Sequence, residues 1–281
     1  MPTHIYKNPE AYSKNNSLQY HFAMNVISNS NIDSSSRILD LGCGDGGVTC
    51  KLATIADEGC VIGTDISREM IEYASKEYQN QNNLRFMQMD TSKNLFRDQF
   101  DVITSFNSLH WVKDQASALR GIANAVVENG KIILLLSHKK SQYHQTLDIL
   151  CSQEKWSQYF KDYLNPRSFF EVKEYDIFLK DAGLEVESLV EREMIHNFDS
   201  VDKLKEFLGS SMANIKQIPL DKKNEFLDDF CKEFFNLLEC KDSTNIAVGF
   251  WCLEVLASKP AQIKKPVPSD NLSGPFFRSK L

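Results

Sequence analysis

Short apolar runs alternate with amphipathic stretches along the first half of the chain. Arg37–Leu41 predicts a strand that ends in glycines, and residues 48–56 predict a helix. Cys60–Asp65 predicts a second strand. A helix over 69–78 follows, with Ser67 as its N-cap and Met70, Ile71 and Ala74 on one face. Residues 84–89 and Phe100–Phe106 predict two more strands. A helix over 115–127, a break at Gly130 and a continuous apolar strand over 131–136 complete the series. Strands that alternate with helices pair in parallel through right-handed crossovers, and apolar runs without polar alternation are covered on both faces. The predicted fold class is α/β, a doubly wound, Rossmann-like sheet.

The second half reads differently. Residues 141–160 and 169–182 predict helices, the latter stopped by Gly183. Residues 185–191 alternate like a half-exposed strand, 201–212 and 220–238 predict amphipathic helices, and 245–256 a last strand. Four segments result: 1–36, an N-terminal helical segment contributing to the site; 37–140, a ligand-binding α/β core; 141–258, helical cap elements with the last strands; and 259–281, a tail without periodicity, predicted to be disordered.

Composition narrows the partners. The chain has 281 residues, 42% of them hydrophobic, enough for one large domain with an insertion. Its formal net charge of −6 weighs against a nucleic-acid partner, because neutralising phosphates takes a basic face. No window approaches about 18 uninterrupted apolar residues, so no membrane span is expected. The N-terminus lacks the apolar core of a secretory signal. Seven cysteines are scattered without a C-x-x-C pair, so neither a metal site nor a disulfide framework is expected, and a cytoplasmic location fits. The chain ends in Ser279-Lys280-Leu281, a literal peroxisomal address that is read only in a eukaryote with that organelle.

Chemistry enters at Leu39-Asp40-Leu41-Gly42-Cys43-Gly44-Asp45-Gly46-Gly47. Glycines between a strand and a helix let the backbone turn sharply and approach a ligand. Alone they also fit a dinucleotide, since Gly42-x-Gly44-x-x-Gly47 matches that spacing. Asp40 separates the two readings, because a carboxylate at this strand tip suits a cationic ligand without phosphates better than a pyrophosphate. Asp65, at the next strand end, can accept both ribose hydroxyls of either cofactor. The pair favours S-adenosylmethionine over NAD.

The same run resembles the first motif of class I S-adenosylmethionine-dependent methyltransferases, whose sheet has seven strands. Asp65-Ile66-Ser67-Arg68-Glu69-Met70 resembles the second motif, and Met89-Asp90-Thr91 the third, where the acid meets the adenine amine. Within that class, Asn16-Ser17-Leu18-Gln19, Leu109-His110-Trp111-Val112-Lys113-Asp114-Gln115 and Glu154-Lys155-Trp156 are similar to the juvenile hormone acid and trans-aconitate type. The resemblance implies Asp40, Gly42, Cys43, Gly44, Gly46, Asp65, Ile66, Met70, Asp90, Thr91, Ser105, Phe106 and Asn107 at the cofactor. It implies Gln19 and Trp111 on the carboxylate of a small-molecule acid. Amide and indole N–H groups are neutral donors that grip a carboxylate without quenching its nucleophilicity as an arginine would. From the residues alone, Gln19 equally suits the outside of an amphipathic helix, and Trp111 the core. His110 reads as structural or cofactor-adjacent, because a carboxylate near neutral pH is already ionised and needs no base.

Ser105-Phe106-Asn107-Ser108 lacks the Asn/Asp-Pro-Pro-Tyr/Phe run of base-methylating enzymes. Phe169, Phe170, Phe198, Phe207, Phe226, Phe230, Phe234 and Phe235 could line an apolar pocket, or form core at helical spacing. Three alternatives remain open at this level. They are a different small-molecule carbon, nitrogen or oxygen acceptor, a carboxylate carried on an acyl carrier protein, and a protein that binds S-adenosylmethionine without catalysis.

Overall fold

The computed structural model describes residues 8–238 and 245–261. The parallel strands are β1 (Arg37–Leu41), β2 (Cys60–Asp65), β3 (Leu84–Gln88), β4 (Phe100–Phe106) and β5 (Val126–Ser137). Helices α3 (Gly47–Ile55), α4 (Arg68–Glu77) and α5 (Gln115–Ala125) alternate with them, and α1 (Pro9–Lys14) and α2 (Ser17–Ser28) precede them. After β5 come α6 (Gln142–Ser152), α7 (Glu154–Ser157), α8 (Val172–Asp181), β6 (Glu185–Phe198), α9 (Val201–Ser211), α10 (Lys223–Leu238) and β7 (Ile246–Ser258). The strands form one seven-stranded sheet in the order β3-β2-β1-β4-β5-β7-β6. The first five run parallel, and β7 lies antiparallel between β5 and β6.

Strand periodicity divides the core between the two faces of the sheet. Ile38, Ile133 and Leu135 join one apolar cluster with α2, α3, α6, α9 and α10. Leu39, Leu41, Ile132, Leu134 and Leu136 join the other with α5 and α8. All these strand residues are buried, which is why the runs show no polar alternation. β1 pairs with β2 on one side and β4 on the other, so the strand order reverses there and a crevice opens at the strand ends.

Several boundaries differ from the sequence expectation, each for a tertiary reason. The helix expected over 141–160 breaks at Gln153, whose ψ is 143°. The kink turns Trp156 into the core edge-on to Phe226, with its indole N–H donating to Asp229 at 3.0 Å. The helix expected from 169 starts at Val172, because the segment before it is drawn to the turn after β4 by the Ser168 N–H donating to the His110 carbonyl. The break at Gly130 is a bulge within β5, with Asn129 at φ 62° and a register shift opposite Phe100 and Val102. β6 runs on to Phe198 because β7 pairs along its whole length. The expected tail and its Ser279-Lys280-Leu281 signal lie outside the described residues, apart from 259–261. No helix among the described residues is long and apolar enough to cross a membrane.

Gly46 caps α3 at φ 84°, where a Cβ would stand 2.7 Å from the Phe86 ring and 2.9 Å from Ala74. It therefore serves close packing of the helix start against α4 and β3. Gly46→Ala combines left-handed strain with overpacking, at a cost of about 3 kcal/mol. Its melting temperature in calorimetry should fall by roughly 5–10 °C.

Candidate active site

Asp40 stands at the crossover point, 2% exposed. Its two oxygens accept hydrogen bonds from Thr49 Oγ1 at 2.7 Å and Thr104 Oγ1 at 2.8 Å, so the carboxylate joins β1 to α3 and β4. Burial pushes its pKa up to about 6, against the pull of the two hydroxyls. Asp40, Gln19, Cys43 and Asp45 border a small cavity beneath the glycine turn. Asn16 Nδ2 donates to Asp45 at 2.7 Å and fastens the N-terminal segment over that turn.

A larger cavity opens beside it at the ends of β1, β2, β3 and β4, with about 1000 Å³ of empty space, part of it open to solvent. Gly42, Gly44, Asp65, Ile66, Met70, Asp90, Thr91, Phe106 and Asn107 line it. Gly42 and Gly44 take φ of 73° and 56°, which lets the turn present bare backbone. Asp65 accepts from the Gly44 and Ser67 N–H groups at 3.1 and 2.8 Å, and burial raises its pKa. Asp90 caps the turn Thr91–Lys93 by accepting from the Ser92 N–H at 3.0 Å. Three acids (Asp65, Asp90, Asp114) face one lysine, Lys113, in this lining. Such a wall suits a cationic ligand and repels a pyrophosphate. Ser105 is outside this lining; its hydroxyl donates to the Leu41 carbonyl at 2.8 Å and ties β4 to β1.

A second cavity, with about 580 Å³ of empty space, meets the first across Tyr12, Asn107 and Trp111. Leu18, Phe22, Phe207 and Phe250 supply apolar wall, and Gln19, His110, Tyr143, His144 and Arg167 supply polar groups. Of the aromatics named from the sequence, Phe207 lines this cavity, whereas Phe198, Phe226, Phe230 and Phe234 are buried in the core. His110 Nδ1 accepts from the Ser137 N–H at 3.2 Å, and His144 Nε2 lies 2.9 Å from Ser137 Oγ. Burial, with Arg167 nearby, holds His144 well below the ordinary histidine pKa and therefore neutral. Asn107 sits at φ 54°, a left-handed conformation at the junction of the two cavities.

Four buried side-chain polar atoms of residues in this second cavity have no hydrogen-bond partner among the described residues. They are Gln19 Oε1, Asn107 Nδ2, Tyr143 Oη and Arg167 Nε. Sequence reading reached Gln19, Asn107, His110 and Trp111, and missed Tyr12, Tyr143 and Arg167. Arg167 lies 56 residues beyond Trp111 (167 − 111) in a stretch without periodicity, so no local signal marked it. The expected neutral clamp is thus accompanied by a cation. His138, Glu171 and Glu191 also gather within 4.8 Å. The Lys140 N–H donates to His138 Nδ1 at 3.3 Å, which leaves the neutral ring's proton, rather than a lone pair for a metal ion, on Nε2, 3.8 Å from Glu191.

These geometries agree with the comparisons to known proteins. The methyltransferase domain family matches residues 39–134. The juvenile hormone acid O-methyltransferase of Drosophila melanogaster is 30% identical over 209 residues, 70% of either chain. That of Bombyx mori is 29% identical over 275 residues, covering 90% of this chain and 97% of its own. The phosphoethanolamine N-methyltransferase 2 of Haemonchus contortus, solved with S-adenosylhomocysteine, superposes with a TM-score of 0.58 at 17% identity, over 90% of this chain and 57% of its own. The chain belongs to the class I S-adenosylmethionine-dependent methyltransferases. Its cofactor is S-adenosylmethionine.

A carboxyl whose pKa rises on folding takes up a proton as the chain folds. Asp40 therefore adds stability at low pH that is lost as pH climbs from about 4 to about 6. Asp40→Asn removes that dependence. In thermal melts of ligand-free protein, the variant's melting temperature minus that of the wild type should rise over this window and level off above it. A flat difference would contradict a buried carboxyl that protonates on folding.

Proposed function

We propose that this methyltransferase acts on the carboxylate of a small-molecule acid and makes its methyl ester. The reading is carried by the second cavity, where an apolar wall gathers unpartnered polar groups at the edge of the cofactor cavity. Asn107 Nδ2, Tyr143 Oη and Arg167 Nε are donors, and an amide turn lets Gln19 present its N–H as well. Donors converging in an apolar pocket call for an acceptor-rich head group on an apolar body. The similarity to the two juvenile hormone acid O-methyltransferases supports the same substrate class.

When bound, S-adenosylmethionine supplies a methyl group on positively charged sulfur. Asp65 would take the ribose hydroxyls, Ile66 and Met70 would flank the adenosine, and Asp90 with Thr91 would meet the adenine amine. Gly42, Cys43, Gly44 and Asp40 would cradle the methionine portion, with Phe106 and Asn107 closing the reactive end and Ser105 holding β4 to β1 behind them. Gln19 and Trp111 orient the acceptor oxygen. Opposite charges are brought together in the reaction, so little oxyanion stabilisation is needed, and the contribution of the side chains is alignment and exclusion of water. Tyr12, common to all three cavities, and Trp111 are placed for that exclusion. His110 holds the β5 backbone through Ser137 and serves position rather than proton transfer.

The test is transfer of radiolabelled methyl to a panel of carboxylic acids. Gln19→Ala and Trp111→Phe should each lower kcat/KM by roughly 10- to 100-fold, about 1–3 kcal/mol of transition-state binding. If both variants match the wild type, the clamp is wrong. Asp65→Ala should weaken S-adenosylmethionine binding by at least about ten-fold in calorimetry, the loss of charge-assisted hydrogen bonds.

A further inference from the structure

Arg167 is carried on the irregular segment between α7 and α8 and reaches into the second cavity. Its Nη2 donates to the Ser211 carbonyl at 3.2 Å, and its Nε is buried without a partner. No acidic side chain pairs with it among the described residues. Its Cζ lies 4.3 Å over the Trp111 ring and 5.6 Å from the centre of Tyr143. Aromatic faces position a guanidinium and shield it from water, but they do not supply the anion that its unused donors call for. The Tyr143 hydroxyl stands close enough for the cation to oppose the burial-driven rise of its pKa.

We propose that Arg167 pairs with an anionic oxygen group of the acceptor and selects the ionised acid over its neutral isosteres. This rests on the reading that the second cavity holds the acceptor. The planar fork suits a carboxylate, and Asn107 and Tyr143 offer further donors on the same wall.

The pairing has a kinetic consequence. A carboxylate lone pair forms the new C–O bond, and the C–S electron pair stays on sulfur, which becomes a neutral thioether. The acid becomes a neutral ester, and no proton moves. Arg167 therefore holds the substrate and loses its hold on the product. Because carboxylate charge is already falling in the transition state, the pair favours the ground state at least as much. Arg167 thus lowers KM without raising kcat and speeds ester release.

Decanoate, decanamide and methyl decanoate, titrated into protein loaded with S-adenosylhomocysteine, test the charge selection directly. The wild type should bind decanoate roughly ten-fold or more tighter than decanamide, as a desolvated charge pair allows. Arg167→Gln should erase the preference while leaving decanamide affinity within about two-fold, and Arg167→Lys should keep part of it. In turnover of any accepted acid, Arg167→Gln should raise KM roughly 10- to 100-fold with kcat within about three-fold. Equal binding of decanoate and decanamide by the wild type would overturn the proposal. So would a parallel loss of both ligands in Arg167→Gln, or a fall in kcat at unchanged KM. Failure of the carboxylate reading looks different: decanoate would still be preferred through Arg167, while label moved to an amine, a carbon or a phenol.

Discussion

Asp40 is a carboxylate with almost no exposure, held near the end of β1 where the strand order reverses. Each oxygen is taken by one threonine hydroxyl, Thr49 from α3 and Thr104 from β4. A buried acid of this kind is costly unless its lone pairs are met, and meeting them fixes three elements relative to one another. The glycine turn, the start of α3 and the β4 loop take their places around it. The glycine turn and the β4 loop border the larger cavity, and the β4 loop borders the second as well, so the shape of both depends on this one group.

Around that anchor, charge is sorted by place. Among the charged side chains that line the larger cavity, Asp65, Asp90 and Asp114 outnumber Lys113, a setting for a cation. The second is apolar, with uncompensated donors and one guanidinium, a setting for an anion. The two meet at Tyr12, Asn107 and Trp111, so in the proposed reaction opposite charges would come face to face there. The N-terminal segment closes the arrangement through Tyr12, Gln19 and the Asn16–Asp45 bond. Those contacts join residues roughly thirty to ninety positions apart, which explains why the first helices belong to the site although they precede the sheet.

Much of this was legible along the chain. The glycines, Asp40, Asp65 and Asp90 sit at strand ends defined by local apolar runs, so short-range pattern locates them. What short-range pattern misses is set by packing at a distance. Trp156 turns inward to reach Phe226 and Asp229, and so breaks a helix that periodicity made continuous. Arg167 lies in a stretch shaped by its tether to His110, and its side chain acquires meaning beside Trp111 and Tyr143. Gly46 shows the converse, a residue read as ligand-facing from its motif whose contacts are with Phe86 and Ala74.

The central claim is that the transferred methyl ends on a carboxylate. It is tested most directly by incubating the protein with methyl-labelled S-adenosylmethionine and a deproteinised small-molecule cell extract, then treating the labelled product with mild alkali. An ester releases its label as volatile methanol, and that is the result predicted. Label that stays non-volatile after alkali, as it would on nitrogen, carbon or an ether oxygen, would contradict the account.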